Sequence, residues 1–170
     1  MRQVEVEKRI FDAISPVYKV DVKEIAQSLH FDFDENKHII IFGNLDNITE
    51  DEAKFYLITT ITWLEHINYK KSILQALLSV KKLELERIKS EKFFEEKNKA
   101  IEEGKKATKS ELEIKVFSDK EVLSMEEKIG IYSAYLNYLS GLYDVLELFH
   151  YSIKHLQANT NNIQNKYGSF

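Results

Sequence analysis

The stretch Asn44–Glu103, NLDNITEDEAKFYLITTITWLEHINYKKSILQALLSVKKLELERIKSEKFFEEKNKAIEE, runs for sixty residues without a glycine or a proline, between Gly43 and Gly104. The whole chain of 170 residues has five glycines and one proline, so each of them is punctuation. Thr49-Glu50-Asp51-Glu52 opens the stretch with a capping box. The threonine hydroxyl can accept an orphan N–H, and Glu52 lies three residues on, able to reach back. Acidic residues in that first turn also suit the positive end of the helix dipole. A single helix from about Glu50 to about Lys97 spans roughly 70 Å at ~1.5 Å per residue. A rod of that length needs a partner helix, other subunits, or both.

The partner lies near the C-terminus. Ser118 with Glu121 gives a further capping box, and the cleanest periodicity in the chain follows it. Val122, Met125, Ile129, Tyr132, Leu136, Leu139, Tyr143, Leu146, His150 and Ile153 recur in steps of three and four, a heptad seam. A second seam runs beside it through Ile131, Tyr135, Tyr138, Leu142, Val145, Phe149 and Leu156. One antiparallel partner covers one seam. Leaving the other wet would forfeit on the order of 10 kcal/mol of apolar burial, more than typical net stability. The pattern therefore predicts homo-oligomerisation through Ile129, Tyr132, Tyr135, Leu136, Leu139, Leu142, Tyr143, Leu146, Phe149 and Ile153.

Outside the two rods the signals are shorter. Val4 to Ile14 reads as an amphipathic helix stopped before Pro16. Asp21 with Glu24 can cap a second helix, Val22 to Leu29. Phe31 to Gly43 alternates, turns at Asp34-Glu35-Asn36-Lys37 and ends in a β-branched run, which predicts a small hairpin. Glu95 to Ser110 is charged and holds Gly104, a helix end and loop; Thr108 with Glu111 starts a brief helix through about Val116. The reading is mainly α: a long antiparallel helical hairpin assembling into a homo-oligomer. A small N-terminal α+β appendage occupies residues 1–46, the helical domain residues 47–158, and a flexible asparagine-rich tail residues 159–170.

Composition narrows the chemistry. There is no cysteine, hence no disulfide, thiolate metal site or thiol nucleophile. No apolar run reaches a membrane span and the N-terminus lacks an apolar targeting core, so a cytoplasmic protein without a membrane partner is expected. His30, His38, His66, His150 and His155 lack metal-ligand spacing, and the glycines are isolated, so neither a metal nor a phosphate loop is predicted. No cofactor and no catalytic centre are nominated. Formal net charge is −4, but residues 70–120 carry +4 and the remainder −8.

Within that basic segment Lys71, Lys82 and Lys89 line up on one helix azimuth, and Lys70, Lys81 and Lys92 on a neighbouring one. Arg87 adds a guanidinium, and Phe93 and Phe94 place two rings beside Lys92. Cations that track a backbone and rings that stack bases are what single-stranded nucleic acid requires. The competing reading is an ordinary wet helix face, its lysines neutralised by Glu84, Glu86 and Glu91 at helical spacing.

Several stretches in order resemble the UvsY family of recombination mediator proteins from T-even-like bacteriophages. They are Leu45-Asp46 through Glu52-Ala53 and Phe55-Tyr56, then Trp63-Leu64; Lys70-Lys71; and Arg87-Ile88-Lys89 before Phe93-Phe94. Lys109-Ser110-Glu111 through Val116 to Leu123, and Ser152-Ile153-Lys154-His155-Leu156-Gln157, complete the set. The likeness covers about residues 45 to 158 and fades toward residue 24. It implies a helical, non-enzymatic protein that forms ring-like homo-oligomers of the hexamer or heptamer class. It also implies binding of single-stranded DNA, contact with a phage recombinase and a phage single-strand-binding protein, and loading of the former in place of the latter, in the host cytoplasm. The family's Lys-x-Arg DNA-binding element falls on Arg87-Ile88-Lys89, with the two basic residues swapped and one residue added before the rings. The alternative is a helical coiled-coil adaptor that never touches nucleic acid.

Overall fold

The computed structural model describes residues 3–30, 32–33, 39–40 and 48–167. Its helices are α1 (Gln3–Ala13), α2 (Val22–Ser28), α3 (Glu50–Glu102), α4 (Lys109–Phe117) and α5 (Lys120–Tyr167), with a 3-10 turn at Pro16–Tyr18. Local chemistry sets the ends. The Thr49 hydroxyl accepts from the Glu52 N–H at 3.3 Å while the Glu52 carboxylate accepts from the Thr49 N–H at 2.9 Å, closing the capping box of α3. Gly104, at φ 66°, ends that helix. The Lys105 N–H donates to the Ala100 carbonyl and the Gly104 N–H to the Ile101 carbonyl, a Schellman motif that a residue with a Cβ would strain. Thr108 and Glu111 close a second capping box, on α4.

One cap differs from expectation. Ser118 does not start α5; its hydroxyl donates back to the Ile114 and Lys115 carbonyls and finishes α4. Asp119 caps α5 instead, accepting from the Glu121 N–H at 2.8 Å. The two helices are so close in sequence that adjacent residues serve opposite termini. Helix α5 runs through the asparagine-rich segment to Tyr167.

The chain packs as two compact units, each built from both long helices. One unit comprises Met1–Tyr18 with Ser72–Asn137, the other Lys19–Lys71 with Tyr138–Phe170. In the first, Leu85 and Ile88 of α3 and Val116 of α4 meet Val122 and Met125 of α5, with Phe93 and Ile129 against them. The α3/α5 pairing is antiparallel there: Lys89 reaches Glu126, and Lys92, further along α3, reaches Glu121, earlier on α5. Helix α1 packs on α5 in the same unit. Phe11 meets Tyr135 edge to face at 5.6 Å, the Tyr135 hydroxyl donates to the Tyr18 carbonyl, and Arg9 pairs with Glu127.

In the second unit Tyr56 of α3 meets Phe149 of α5 edge to face at 5.8 Å. The Trp63 indole N–H donates to the Ser28 hydroxyl at 2.6 Å and so ties α3 to α2. His30, just past α2 at φ 53°, stacks on Phe55.

The expected α+β appendage is overturned. Among the described residues the architecture is helical apart from one two-residue strand pair, and the N-terminal helices are shared out between the two units rather than set apart. Asp32–Phe33 and Ile39–Ile40 do pair antiparallel, but two residues a side form no layer on which an α+β unit could rest. The predicted turn Asp34–Lys37 and the residues 41–43 lie outside the described residues. The premise that a second copy must shelter the second seam also changes. Of that seam, Tyr135 and Phe149 are fully buried within the single chain, Ile131, Tyr138, Leu142 and Leu156 are half-buried, and Val145 is exposed. The cover at Tyr135 comes from Phe11 and Tyr18, which periodicity on α5 cannot foresee.

Candidate nucleic-acid interface

The six aligned lysines lie at the edges of the packed side of α3. Each is three or four residues from a buried aliphatic side chain, and such neighbours share a helix face. Lys70 and Lys71 follow the buried Ile67; Lys81 and Lys82 precede the buried Leu85; Lys89 follows Leu85; Lys92 follows Ile88. Their ammonium groups are engaged accordingly. Lys89 meets the Glu126 carboxylate of α5 at 2.9 Å and stands 5.1 Å above the Phe117 ring of α4. Lys92 is surrounded by Glu95 and Glu121 at 3.5 Å and by Asp119 at 4.0 Å. Those carboxylates, Glu95 and Asp119 foremost, hold Lys92 above the ordinary lysine range. Lys81 pairs with Glu84 at 2.7 Å and is raised by that hydrogen bond. Lys71 caps the Tyr143 ring at 4.8 Å. Lys70 is half-buried and also engaged, whereas Lys82 is exposed. Spacing aligned these cations; it could not say that their azimuth borders the core.

Arg87 lies elsewhere. Its side chain is 67% exposed, and its guanidinium meets Glu91 at 3.1 Å, one turn on. Phe94 follows Arg87 by seven residues, so at ~100° per residue the two share a face to within ~20°. Phe94 is 60% exposed, while Phe93 turns inward against the apolar cluster. The two rings meet edge to face at 6.2 Å.

Between this part of α3 and α4 lies a cavity of about 310 Å³, bordered by Lys89, Phe93, Phe94, Lys109, Val116 and Phe117. Lys109 and Phe117 are functional candidates that the sequence reading passes over, because both lie on α4, and only tertiary packing brings α4 beside the paired rings. The turn beyond is stitched by Glu96, which accepts from Lys99 at 2.7 Å and Lys115 at 3.2 Å; the Lys99 bond first, then Lys115, holds its carboxyl below the usual range.

The residues expected at subunit contacts fall into two sets. Tyr135, Leu139, Leu146, Phe149 and Ile153 are buried in the chain's own units; Ile129, Tyr132, Leu136, Leu142 and Tyr143 are half-buried. The apolar side chains that α5 leaves most open are Leu148 at 61% and Tyr151 at 55%, with Val145 beside them. Among the described residues no cluster of histidine, aspartate and glutamate could hold a metal ion, and no helix is long and apolar enough to cross a membrane.

Two long helices that pair antiparallel, with cations and rings on the surface of one end, define an all-α binding protein. The chain belongs to the UvsY family, described as recombination, repair and ssDNA binding protein UvsY, whose sequence pattern matches residues 46–166. The match spans α3, α4 and α5, so Arg87, Lys89, Phe93 and Phe94 all fall inside it, while α1 and α2 precede it. Membership makes this a non-enzymatic recombination mediator that binds single-stranded DNA. No curated protein and no solved structure matches the chain.

Proposed function

We propose that the chain loads a recombinase onto single-stranded DNA in place of a single-strand-binding protein, and that it does so as a homo-oligomer, a ring of the hexamer or heptamer class. The observation that carries the reading is the family match across residues 46–166, with an exposed guanidinium and an exposed ring on one face of α3 inside it. The strand runs along that face. Arg87 is its first phosphate contact, Lys82 and Lys89 lie to one side, and Phe93 and Phe94 form the aromatic end. Lys70, Lys71, Lys81, Lys89 and Lys92 contribute field rather than direct contacts where carboxylates or rings engage them. Copies of the chain meet through α5, at Val145 of the second seam and the neighbouring Leu148 and Tyr151, whose apolar side chains are exposed. Repetition of the DNA-binding face around an oligomer raises affinity by avidity.

Fluorescence anisotropy with a labelled single strand across a salt series tests this. Binding should weaken with salt, since neutralised phosphates release counterions. Replacing Arg87 by alanine should lower the affinity and reduce the salt slope by about one contact. A chain that binds no strand at low salt would be the helical adaptor, a reading favoured by the ion pairs at Lys81, Lys89 and Lys92. Sedimentation tests the assembly. Leu148→Asp should shift it toward monomer with helicity intact; an unchanged oligomer would move the contact off this face.

A further inference from the structure

The cavity between α3 and α4 is too small for a helix or a strand. At about 310 Å³ it stands at the lower end of ligand pockets, with room for one flat heterocycle. Its walls are rings and its rim is charged. Phe94 and Phe117 are each more than half exposed, uncommon for large apolar side chains that line a concave site. The Phe117 ring is fixed in place by Lys89 above it, and Lys89 is itself held by Glu126. Phe93 meets Phe94 edge to face and sits on the apolar cluster, so the second ring is oriented as well.

Lys109 lines the cavity with its side chain 80% exposed, and its ammonium meets Glu113 at 3.6 Å. A surface pair of that kind contributes little, so the ammonium can be exchanged to an incoming anion. Oriented rings beside available cations match a nucleotide better than an apolar peptide side chain, which would bring no charge for Lys109. Bases stack on such rings whatever their identity, while the adjoining phosphate meets the cation.

We propose that this cavity captures one unstacked base of the bound single strand, stacked between Phe94 and Phe117, with its phosphate on Lys109. The proposal rests on the single-strand reading above and adds a site on α4 to the face of α3. It makes α4 part of the binding surface and sets one fixed point in the register of strand on protein. Because stacking is indifferent to sequence, the pocket serves a protein that must load DNA of any sequence.

The test uses the full chain and two labelled strands of equal length, an oligothymidylate and its abasic counterpart. The intact protein should bind the base-bearing strand more tightly. Phe117→Ala should weaken that strand roughly five- to hundredfold, bring it toward the abasic level and leave the salt slope unchanged. Phe117→Leu, which keeps apolar bulk on α4 but removes the ring, should show the same loss. Lys109→Gln should instead lower the salt slope by about one phosphate contact. The proposal is overturned if both Phe117 variants bind the two strands as the intact protein does while Arg87→Ala still weakens binding. It is also overturned if those variants keep DNA but lose a protein partner, which would make the cavity a dock for an aromatic side chain. If the intact protein binds neither strand at low salt, the single-strand reading itself fails, a distinct result.

Discussion

The two units are built from the same pair of helices and hold together by different means. In the unit of Lys19–Lys71 and Tyr138–Phe170 the contacts are largely aromatic: Tyr56 on Phe149, His30 on Phe55, the Trp63 indole on Ser28, Lys71 over Tyr143. In the unit of Met1–Tyr18 and Ser72–Asn137 a small aliphatic cluster is rimmed by ion pairs, Lys89 with Glu126 and Lys92 with Glu121 and Asp119. Charge screening does not weaken apolar burial, while interactions between exposed charges are screened within about 10 Å at 0.1 M. The surface proposed for DNA lies in the ionic unit, where Lys82 and Arg87 are exposed while carboxylates engage Lys81, Lys89 and Lys92. The aromatic unit has the deeper core and carries the buried histidine.

The sharpest way to break this contrast is Phe149→Ala. Phe149 is fully buried, and truncating such a ring costs about 3–5 kcal/mol. Hydrogen exchange should speed up first in residues 50–71 and 138–157; equal acceleration in residues 72–102 would mean that the units melt as one. Gly104→Ala should cost about 1 kcal/mol, because a Cβ is disfavoured at φ 66° although nothing lies within 4 Å of it. Denaturant titration checks that loss, which should fall on the turn between α3 and α4.

A pH titration sharpens the comparison further. Burial first, and then Lys154, hold His150 below its ordinary value, with Glu147 opposing them. The unfolded chain therefore takes up a proton near pH 6.5 that the folded chain refuses, so stability rises with pH across that window and falls on acidification. The aromatic unit should weaken as pH drops from about 7 through 6.5 and on to the lower folded value. His150→Phe should flatten that limb. In the ionic unit Glu84 and Glu96 are held low by Lys81 and Lys99, so their contribution persists above the carboxylate value of 4.5 and is lost only as pH falls through the depressed folded values. The smallest effect belongs to Glu121→Gln. Lys92 keeps Glu95 and Asp119, so thermal unfolding should be unchanged within error; a clear loss would show the ion pairs to be more than a rim.

Legibility in the sequence follows how local each signal is. The Thr49–Glu52 and Thr108–Glu111 boxes involve neighbours three apart, and both form. Ser118 and Asp119 show the limit: either can cap, and only the path between α4 and α5 assigns them to opposite helix ends. The basic segment is legible as a charge excess, and Phe93 and Phe94 as two rings beside Lys92. The engagement of Lys89 by Glu126 and of Lys92 by Glu121 is not, since those carboxylates lie on α5, more than twenty-five residues away.

The sequence by itself determined the two long helices, the capping boxes at Thr49 and Thr108, the scarcity of breaks and the family, because each rests on neighbours along the chain or on the order of short motifs. Only the tertiary structure decided which azimuth of α3 is buried, that α1 covers Tyr135, and that α4 brings Phe117 beside Phe94. Periodicity fixes the angles between residues on one helix but not the direction in which that helix faces, and packing against other helices supplies the direction.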